Sequence, residues 1–268
     1  MTAGTAGLVP ALRPGTCQLW WASARDAHPT LRGLLDEGER ARSGRLRQPA
    51  ARALHLTAHA LARTVAAAHL GVPAGELALT ATCKRCGGPH GKPLPPGPLG
   101  LSWSHSGDRV VVAVTLGTEV GVDVERIAPY ARETAERVLR GPERAVLAAL
   151  PEPRRPAGFV RYWTRKEALL KATGDGLSVP PELLHVTAPD AWPRLLSWSG
   201  PERPRLPLHL YDLDAGAGHL AALASVGAPV RPAAHDGSAL LAAAVAAANA
   251  PATPRDLTPL TSERPVAP

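Results

Sequence analysis

The stretch LSWSHSGDRVVVAVTLGTEVGVDVE, residues 101–125, decides the fold of this chain. It contains three short runs, at 101–104, 109–116 and 120–125, of which the last two are rich in valine, and they are separated by glycine-containing turns at 106–108 and 117–118. Short runs rich in β-branched residues and joined by tight turns predict consecutive antiparallel strands. We therefore expect an antiparallel meander of three strands in the middle of the chain.

Helical patterns flank this stretch on both sides. Residues 51–70 carry apolar side chains at helical spacing before a C-capping Gly71, and residues 159–173 form a second strong helical segment that ends at Gly174. Shorter elements are predicted as helices at 29–42, 131–139 and 142–150, and as strands at 18–22, 183–186, 195–199, 206–213 and 219–225.

The order of these elements, helix then strands and then the same again, predicts an α+β fold built of two halves. We place the N-terminal half at 16–115 and the C-terminal half at 116–227. A flexible N-terminus is expected at 1–15. The Ala/Pro-rich residues 228–268 are expected to form a flexible tail, in which 238–249 has the composition of a short helix.

The formal net charge of +7 favours an anionic partner: nucleic acid, an anionic membrane, a phosphorylated cofactor or an acidic protein. No long Lys/Arg tract with interleaved aromatic residues is present, which argues against nucleic acid. The three cysteines give no disulfide framework. The sequence shows neither a signal-peptide pattern nor an apolar run long enough for a bilayer, so we expect a cytoplasmic protein without a membrane partner.

Asp123 and Glu125 are the first candidate site residues. Because side chains alternate faces along a strand, Val122 and Val124 should face the core while the two carboxylates share the other face. Paired carboxylates repel each other unless a cation or base lies between them, and oxygen ligands of this kind suit Mg²⁺. A solvated strand face would explain the same pattern.

Further candidates lie on either side. Trp163, Glu167 and Lys171 are four residues apart, so they share one helical face, on which Glu167 can serve as a third metal ligand or a base and Lys171 can face a phosphate. A surface Glu–Lys pair would look the same. Upstream, Ser104 and His105 are expected at a turn, where hydroxyl and imidazole groups can hold a phosphate, although serine is ordinary turn chemistry.

A loop dense in glycine and proline contains Cys83, Cys86, His90 and Lys92. The two cysteines and the histidine form half of a zinc knuckle, but no second ligand pair follows at zinc-ribbon spacing. Lys92, between a glycine and a proline, is either a phosphate contact or a solvated lysine.

In combination and in order, Gly-Lys92-Pro, Ser104-His105-Ser, Gly-Val-Asp123-Val-Glu125 and Trp163-x-x-Lys-Glu167-Ala-x-x-Lys171 resemble the motifs of the 4'-phosphopantetheinyl transferase superfamily. The chain is most similar to the long, two-halved type, which activates polyketide and nonribosomal peptide synthetases. The resemblance covers about residues 80–180 by motif and 15–227 by architecture.

This resemblance implies two similar α+β subdomains related by pseudo-twofold symmetry, with antiparallel strands and a cleft for coenzyme A between the halves. It implies a monomeric enzyme that transfers the 4'-phosphopantetheinyl group of coenzyme A to a serine of an apo acyl or peptidyl carrier protein and releases 3',5'-ADP. A basic enzyme would also be steered towards an acidic carrier.

The resemblance also implies roles for individual residues. Asp123, Glu125 and Glu167 would bind Mg²⁺, with Glu167 as the expected base and Lys171 at the reacting phosphate. Lys92, Ser104 and His105 would hold the phosphates of the nucleotide end. The 3'-phosphate would be held by basic residues of the first helical region, for which the candidates are Arg40, Arg45, Arg47, Arg52 and Arg63.

Three alternatives stay open. A Mg²⁺-dependent nuclease or phosphodiesterase would use the same carboxylates, but it leaves Lys92, Ser104 and His105 unexplained. A non-enzymatic module would bind nucleic acid through Cys83, Cys86 and the basic surface. A degenerate family member would bind coenzyme A without transfer, although the acidic positions and Lys171 are all present.

Overall fold

The computed structural model describes residues 6–84, 86–88, 91–200 and 203–250. Strands β1 to β9 of the described residues are Thr16–Ser23, Leu99–Ser106, Arg109–Leu116, Glu119–Arg126, Leu184–Val186, Leu195–Trp198, Leu208–Leu213, His219–Val226 and Arg231–Asp236. Helices α1 to α6 are Glu37–Arg45, Pro49–Leu70, Arg132–Val138, Gly141–Ala149, Arg155–Thr173 and Gly237–Asn249. Helices are thus mixed with sheets whose neighbouring strands are mostly antiparallel, and the predicted α+β class is confirmed.

Two main sheets carry the fold. The first has the strand order β2-β3-β1-β9, the second has the order β4-β8-β7, and β5 pairs with β6 alone. The predicted hairpin of β2 and β3 is present, but β4 pairs with β8, so the predicted three-stranded meander is wrong at its third strand. The physical reason is that β1 already occupies the second edge of β3. Gly117, in the left-handed region at φ 70°, turns the chain out of the first sheet.

The layers are helix, sheet, sheet and helix. Between the sheets, Val122 and Val124 of β4 are fully buried with Val111 of β3, as their alternation predicted. On the outer faces, α2 packs against the first sheet and α5 packs against the second. The face of β4 that carries Asp123 is therefore turned towards α5.

Residues 231–249 do not form the flexible tail that was expected for 228–268. Strand β9 pairs in parallel with β1, and the ring of His235 stacks on Trp20 with centroids 4.8 Å apart. Leu240 and Leu241 of α6 are buried in the core that covers the first sheet. The reason is that β1 offers a free edge and α2 an apolar surface, which this segment covers. Residues 251–268 lie outside the described residues, and the pseudo-twofold relation stays a prediction.

Among the helices in the described ranges, none combines the length and apolar character that a membrane crossing requires.

Candidate active site

The candidate site lies where the two sheets meet edge to edge. β2 ends the first sheet and β4 ends the second, and the two strands lie side by side without sharing a sheet. Serine side chains connect them: Ser102 Oγ accepts from the backbone N–H of Val122, and Ser104 Oγ donates to Asp123 Oδ1 at 2.8 Å. The strand edges are therefore held together by side chains at the carboxylates of β4.

Helix α5 approaches β4 very closely because Gly121 has no side chain. A Cβ atom at this position would lie 2.2 Å from both the carbonyl oxygen of Ala168 and the backbone nitrogen of Ala172. The same contact places Glu167 and Lys171 of α5 opposite the carboxylates of β4. The predicted helical face and the predicted strand face are thus brought together.

Asp123 forms the centre of this arrangement and is 2% exposed. Its Oδ1 accepts from Lys171 Nζ at 2.6 Å as well as from Ser104, and Lys171 also donates to Ser104 Oγ at 3.0 Å. Its Oδ2 is buried and has no hydrogen-bond partner among the described residues. One carboxylate oxygen is therefore fixed, while the other remains available for a ligand.

The other two carboxylates carry perturbed pKa values. Burial, and then the negative charges of Asp123 and Glu125, raise the pKa of Glu167 to about 7. Burial also raises the pKa of Glu125, against the effect of a hydrogen bond from Ser106. Glu167 Oε1, like Asp123 Oδ2, is buried without a partner among the described residues. A cation here would relieve the repulsion among the carboxylates, which adds to the effect of burial on both pKa values.

The donor chemistry of the three carboxylates fits Mg²⁺, which takes oxygen ligands and keeps several from water and substrate phosphate. The two unpartnered oxygens of Asp123 and Glu167 support that fit. In the described residues, no group of three His, Cys, Asp or Glu side chains is already arranged as a metal site. The metal assignment of Asp123, Glu125 and Glu167 stays a prediction.

A cleft of about 630 Å³ opens beside Lys171 and is lined by residues from both predicted halves of the chain. Its C-terminal wall is the end of α5, and its N-terminal wall includes Arg42, His55 and Trp103. This volume lies within the range of small-molecule sites. Its assignment as the coenzyme A cleft between two halves stays a prediction.

Two stacked histidines of this N-terminal wall were not identified as site residues from the sequence. His55 and His59 stack with centroids 4.0 Å apart, and His59 Nδ1 lies 2.8 Å from Glu39 Oε1. Both ring nitrogens of His55 are buried without a partner among the described residues, and burial lowers the pKa of His55 to about 4. The spacing of His55 and His59, four residues apart on a helix, was the available signal.

Ser104 and His105, which were predicted to share a turn, lie instead within strand β2. β2 continues to Ser106 instead of ending before it, so Ser104 and His105 point to opposite faces of the strand. Ser104 is buried against Asp123, whereas His105 is exposed. The expected shared turn is wrong for this reason, and the phosphate contacts of both residues stay predictions.

Lys92 also has internal partners. Its Nζ donates to the carboxylate of Glu119, to the carbonyl of Val120 at 2.8 Å and to the carbonyl of Ala172 at 3.0 Å. It lines the cleft, and burial lowers its pKa. Lys92 thus ties the 81–98 loop to β4 and α5, and its predicted role at a phosphate is not tested by this geometry.

One of the predicted arginine contacts for the 3'-phosphate is already paired inside the protein. Arg63 is fully buried and pairs with Asp36 and with Glu39, the latter at 2.6 Å, so its charge is already neutralised. Arg42, which was not among the candidates, lines the cleft. Of the half zinc knuckle, His90 lies outside the described residues.

Comparisons with known proteins agree on one family. The model of the 4'-phosphopantetheinyl transferase superfamily matches residues 119–224, which include β4 and α5. The 4'-phosphopantetheinyl transferase HetI of a Nostoc species is 30% identical over 155 residues, covering 55% of this chain and 63% of HetI. The 4'-phosphopantetheinyl transferase psf-1 of Bacillus pumilus is 44% identical over 75 residues, covering 28% of this chain and 32% of psf-1.

The matched part is thus less than two thirds of the length of either relative. A crystal structure of a holo-(acyl-carrier-protein) synthase from Bacillus anthracis, in complex with CoA (3',5'-ADP), is 23% identical, with a TM-score of 0.35, and the match covers 40% of this chain and 94% of the synthase.

Proposed function

Because this chain belongs to the 4'-phosphopantetheinyl transferase superfamily, we propose that it transfers the 4'-phosphopantetheinyl group of coenzyme A to a serine of an apo carrier protein. The observation that carries this proposal is the position of Glu167. Its carboxylate has a pKa raised to about 7, and it lies on the helix whose next turn places Lys171 against Asp123.

The proposed reaction needs a base and a positive environment for a pyrophosphate. Glu167 accepts the proton of the carrier serine hydroxyl as the general base. The serine oxygen then bonds to the β-phosphorus of coenzyme A, and the bond from that phosphorus to the bridging oxygen breaks. 3',5'-ADP leaves with the electron pair of the broken bond.

Asp123, Glu125 and Glu167 would hold Mg²⁺, which supplies charge neutralisation at the pyrophosphate when it is bound. Lys171, at the wall of the cleft, contributes a positive charge to the same phosphates. We place the nucleotide in the 630 Å³ cleft, which Lys92 lines, and we propose Lys92 together with Ser104 and His105 of the adjoining strand β2 as its phosphate contacts. Both walls come from one polypeptide, so a monomer suffices.

Acyl and peptidyl carriers of polyketide and nonribosomal peptide synthetases are the proposed protein substrates. The test mixes the protein with apo carriers of each type, coenzyme A and Mg²⁺, and weighs the carriers by mass spectrometry. We expect the gain of one phosphopantetheinyl group, and we expect Asp123→Ala to abolish it without unfolding the protein.

Unmodified carriers of every type, with folded enzyme, would refute the transfer. Parallel incubation with DNA and RNA tests the nuclease alternative, because nucleotide release would replace carrier modification as the observed activity.

A further inference from the structure

Three serines at alternate positions of β2 form what we call the serine seam: Ser102, Ser104 and Ser106. Ser102 contacts residue 122, Ser104 contacts residue 123, and Ser106 contacts residues 125 and 126. The offset of 19 or 20 residues stays constant, so β2 and β4 run in the same direction and in register. The seam thus takes the place that a backbone ladder has in a continuous sheet.

The direction of each hydroxyl proton in the seam follows from its neighbours. Ser106 Oγ lies 3.2 Å from the backbone nitrogen of Arg126 and 2.5 Å from Glu125 Oε2. A backbone N–H can only donate, so Ser106 accepts from Arg126 and its single proton is directed to Glu125. This contact holds one oxygen of the Glu125 carboxylate in a fixed direction.

Ser102 differs from the other two members in one respect. Its hydroxyl accepts from the N–H of Val122 at 3.0 Å, so it connects the same two strands without touching a carboxylate. Ser104 contacts Asp123 but also Lys171, so its removal would disturb two groups of the site at once. Ser106 and Ser102 are therefore a matched pair, one with a carboxylate partner and one without.

We propose that Ser106 is a positioning residue, whose hydroxyl orients the Glu125 carboxylate for cation binding. This inference rests on the proposed function, because that function makes Glu125 a metal ligand. Without the hydroxyl, Glu125 keeps its contact with Trp163 but gains freedom to rotate away from Asp123. Hydrogen bonds to ligating carboxylates typically change metal affinity about 10–100-fold.

The experiment compares Ser106→Ala, Ser106→Thr and Ser102→Ala with the wild type. Mn²⁺ serves as the probe, because it takes the same oxygen ligands as Mg²⁺ and its free concentration is read by electron paramagnetic resonance. We expect Ser106→Ala to weaken Mn²⁺ binding by about 10-fold or more. Ser106→Thr, which retains a hydroxyl, should restore the affinity to within about 3-fold, and Ser102→Ala should leave it unchanged.

Thermal unfolding of the same proteins separates positioning from stability. A purely structural seam would lower the unfolding temperature of both alanine variants and would weaken Mn²⁺ binding equally in both, which would overturn the inference. Unchanged Mn²⁺ binding in Ser106→Ala, with carrier modification intact in the wild type, would overturn the inference alone. Absence of Mn²⁺ binding to the wild type would overturn both the inference and the metal assignment.

Discussion

Lys171 on α5 donates a 2.6 Å hydrogen bond to Asp123 on β4, and this ion pair joins the two elements that carry the candidate catalytic groups. The aspartate side chain is almost completely buried, whereas the lysine side chain, which lines the cleft, is 29% exposed. The pair therefore compensates a buried charge from the side on which substrate would arrive.

Replacing Lys171 with methionine should both inactivate and destabilise the protein. The buried Asp123 carboxylate would lose its main positive partner, which we expect to cost about 2 kcal/mol of unfolding free energy, discounted for the exposure of the lysine. Urea denaturation measures this loss. Mg²⁺ should restore part of the stability of Lys171→Met, because a cation can replace the ammonium group. An equal response of the wild type to Mg²⁺ would contradict this explanation.

Glu167→Gln should remove a pH dependence of stability. Between about pH 4.5 and 7 the folded protein retains a proton on Glu167 that the unfolded chain has released, since its folded pKa is raised to about 7. The unfolding free energy therefore falls as the pH rises through this window, by up to about 1.4 kcal/mol per pH unit.

A glutamine at this position has no proton to lose, so its contribution to the unfolding free energy does not change with pH. Between pH 5 and pH 8 the unfolding free energy of the wild type should therefore fall by about 2–3 kcal/mol relative to that of Glu167→Gln. Denaturant titrations at several pH values measure the difference, with the exposed Glu133→Gln as control. Parallel stability curves for wild type and Glu167→Gln would show that the pKa of Glu167 is not raised.

Gly121→Ala should push α5 away from β4. The added Cβ would meet backbone atoms of Ala168 and Ala172 at 2.2 Å, and backbone cannot move aside as a flexible side chain does. We expect a loss of about 1–3 kcal/mol or more, together with reduced carrier modification. Gly44 lies exposed in α1 with nothing near its Cβ position, so Gly44→Ala should be neutral or stabilising by up to about 1 kcal/mol. Similar effects of both substitutions would argue against the contact.

Leu240→Ala tests whether the C-terminal segment belongs to the folded core. Leu240 is 1% exposed and packs in the core of the first sheet, so its truncation should cost about 2–5 kcal/mol. Ala242→Ser, on the exposed side of the same helix, should cost about 0.5 kcal/mol. Calorimetric unfolding distinguishes these values, and a flexible tail would instead make both substitutions neutral.

Part of this protein is determined by residues close together in the sequence. Alternation alone placed Val122 and Val124 in the core and the carboxylates of Asp123 and Glu125 on the other face, because a strand has a period of two. Gly71 and Gly174 end α2 and α5 as expected, since each takes the left-handed conformation that glycine tolerates.

Only the tertiary structure decided the pairings between distant segments. β4 leaves the predicted meander because β1, from far earlier in the chain, competes for the same edge of β3. Lys92 donates a hydrogen bond to the carbonyl of Ala172, which lies far along the chain. Leu240 and Leu241 of α6 pack in the same core as the apolar residues of α2. No local sequence pattern encodes either contact. Local periodicity determines which face of an element is apolar, whereas competition among distant surfaces for burial and for hydrogen bonds determines which element covers it.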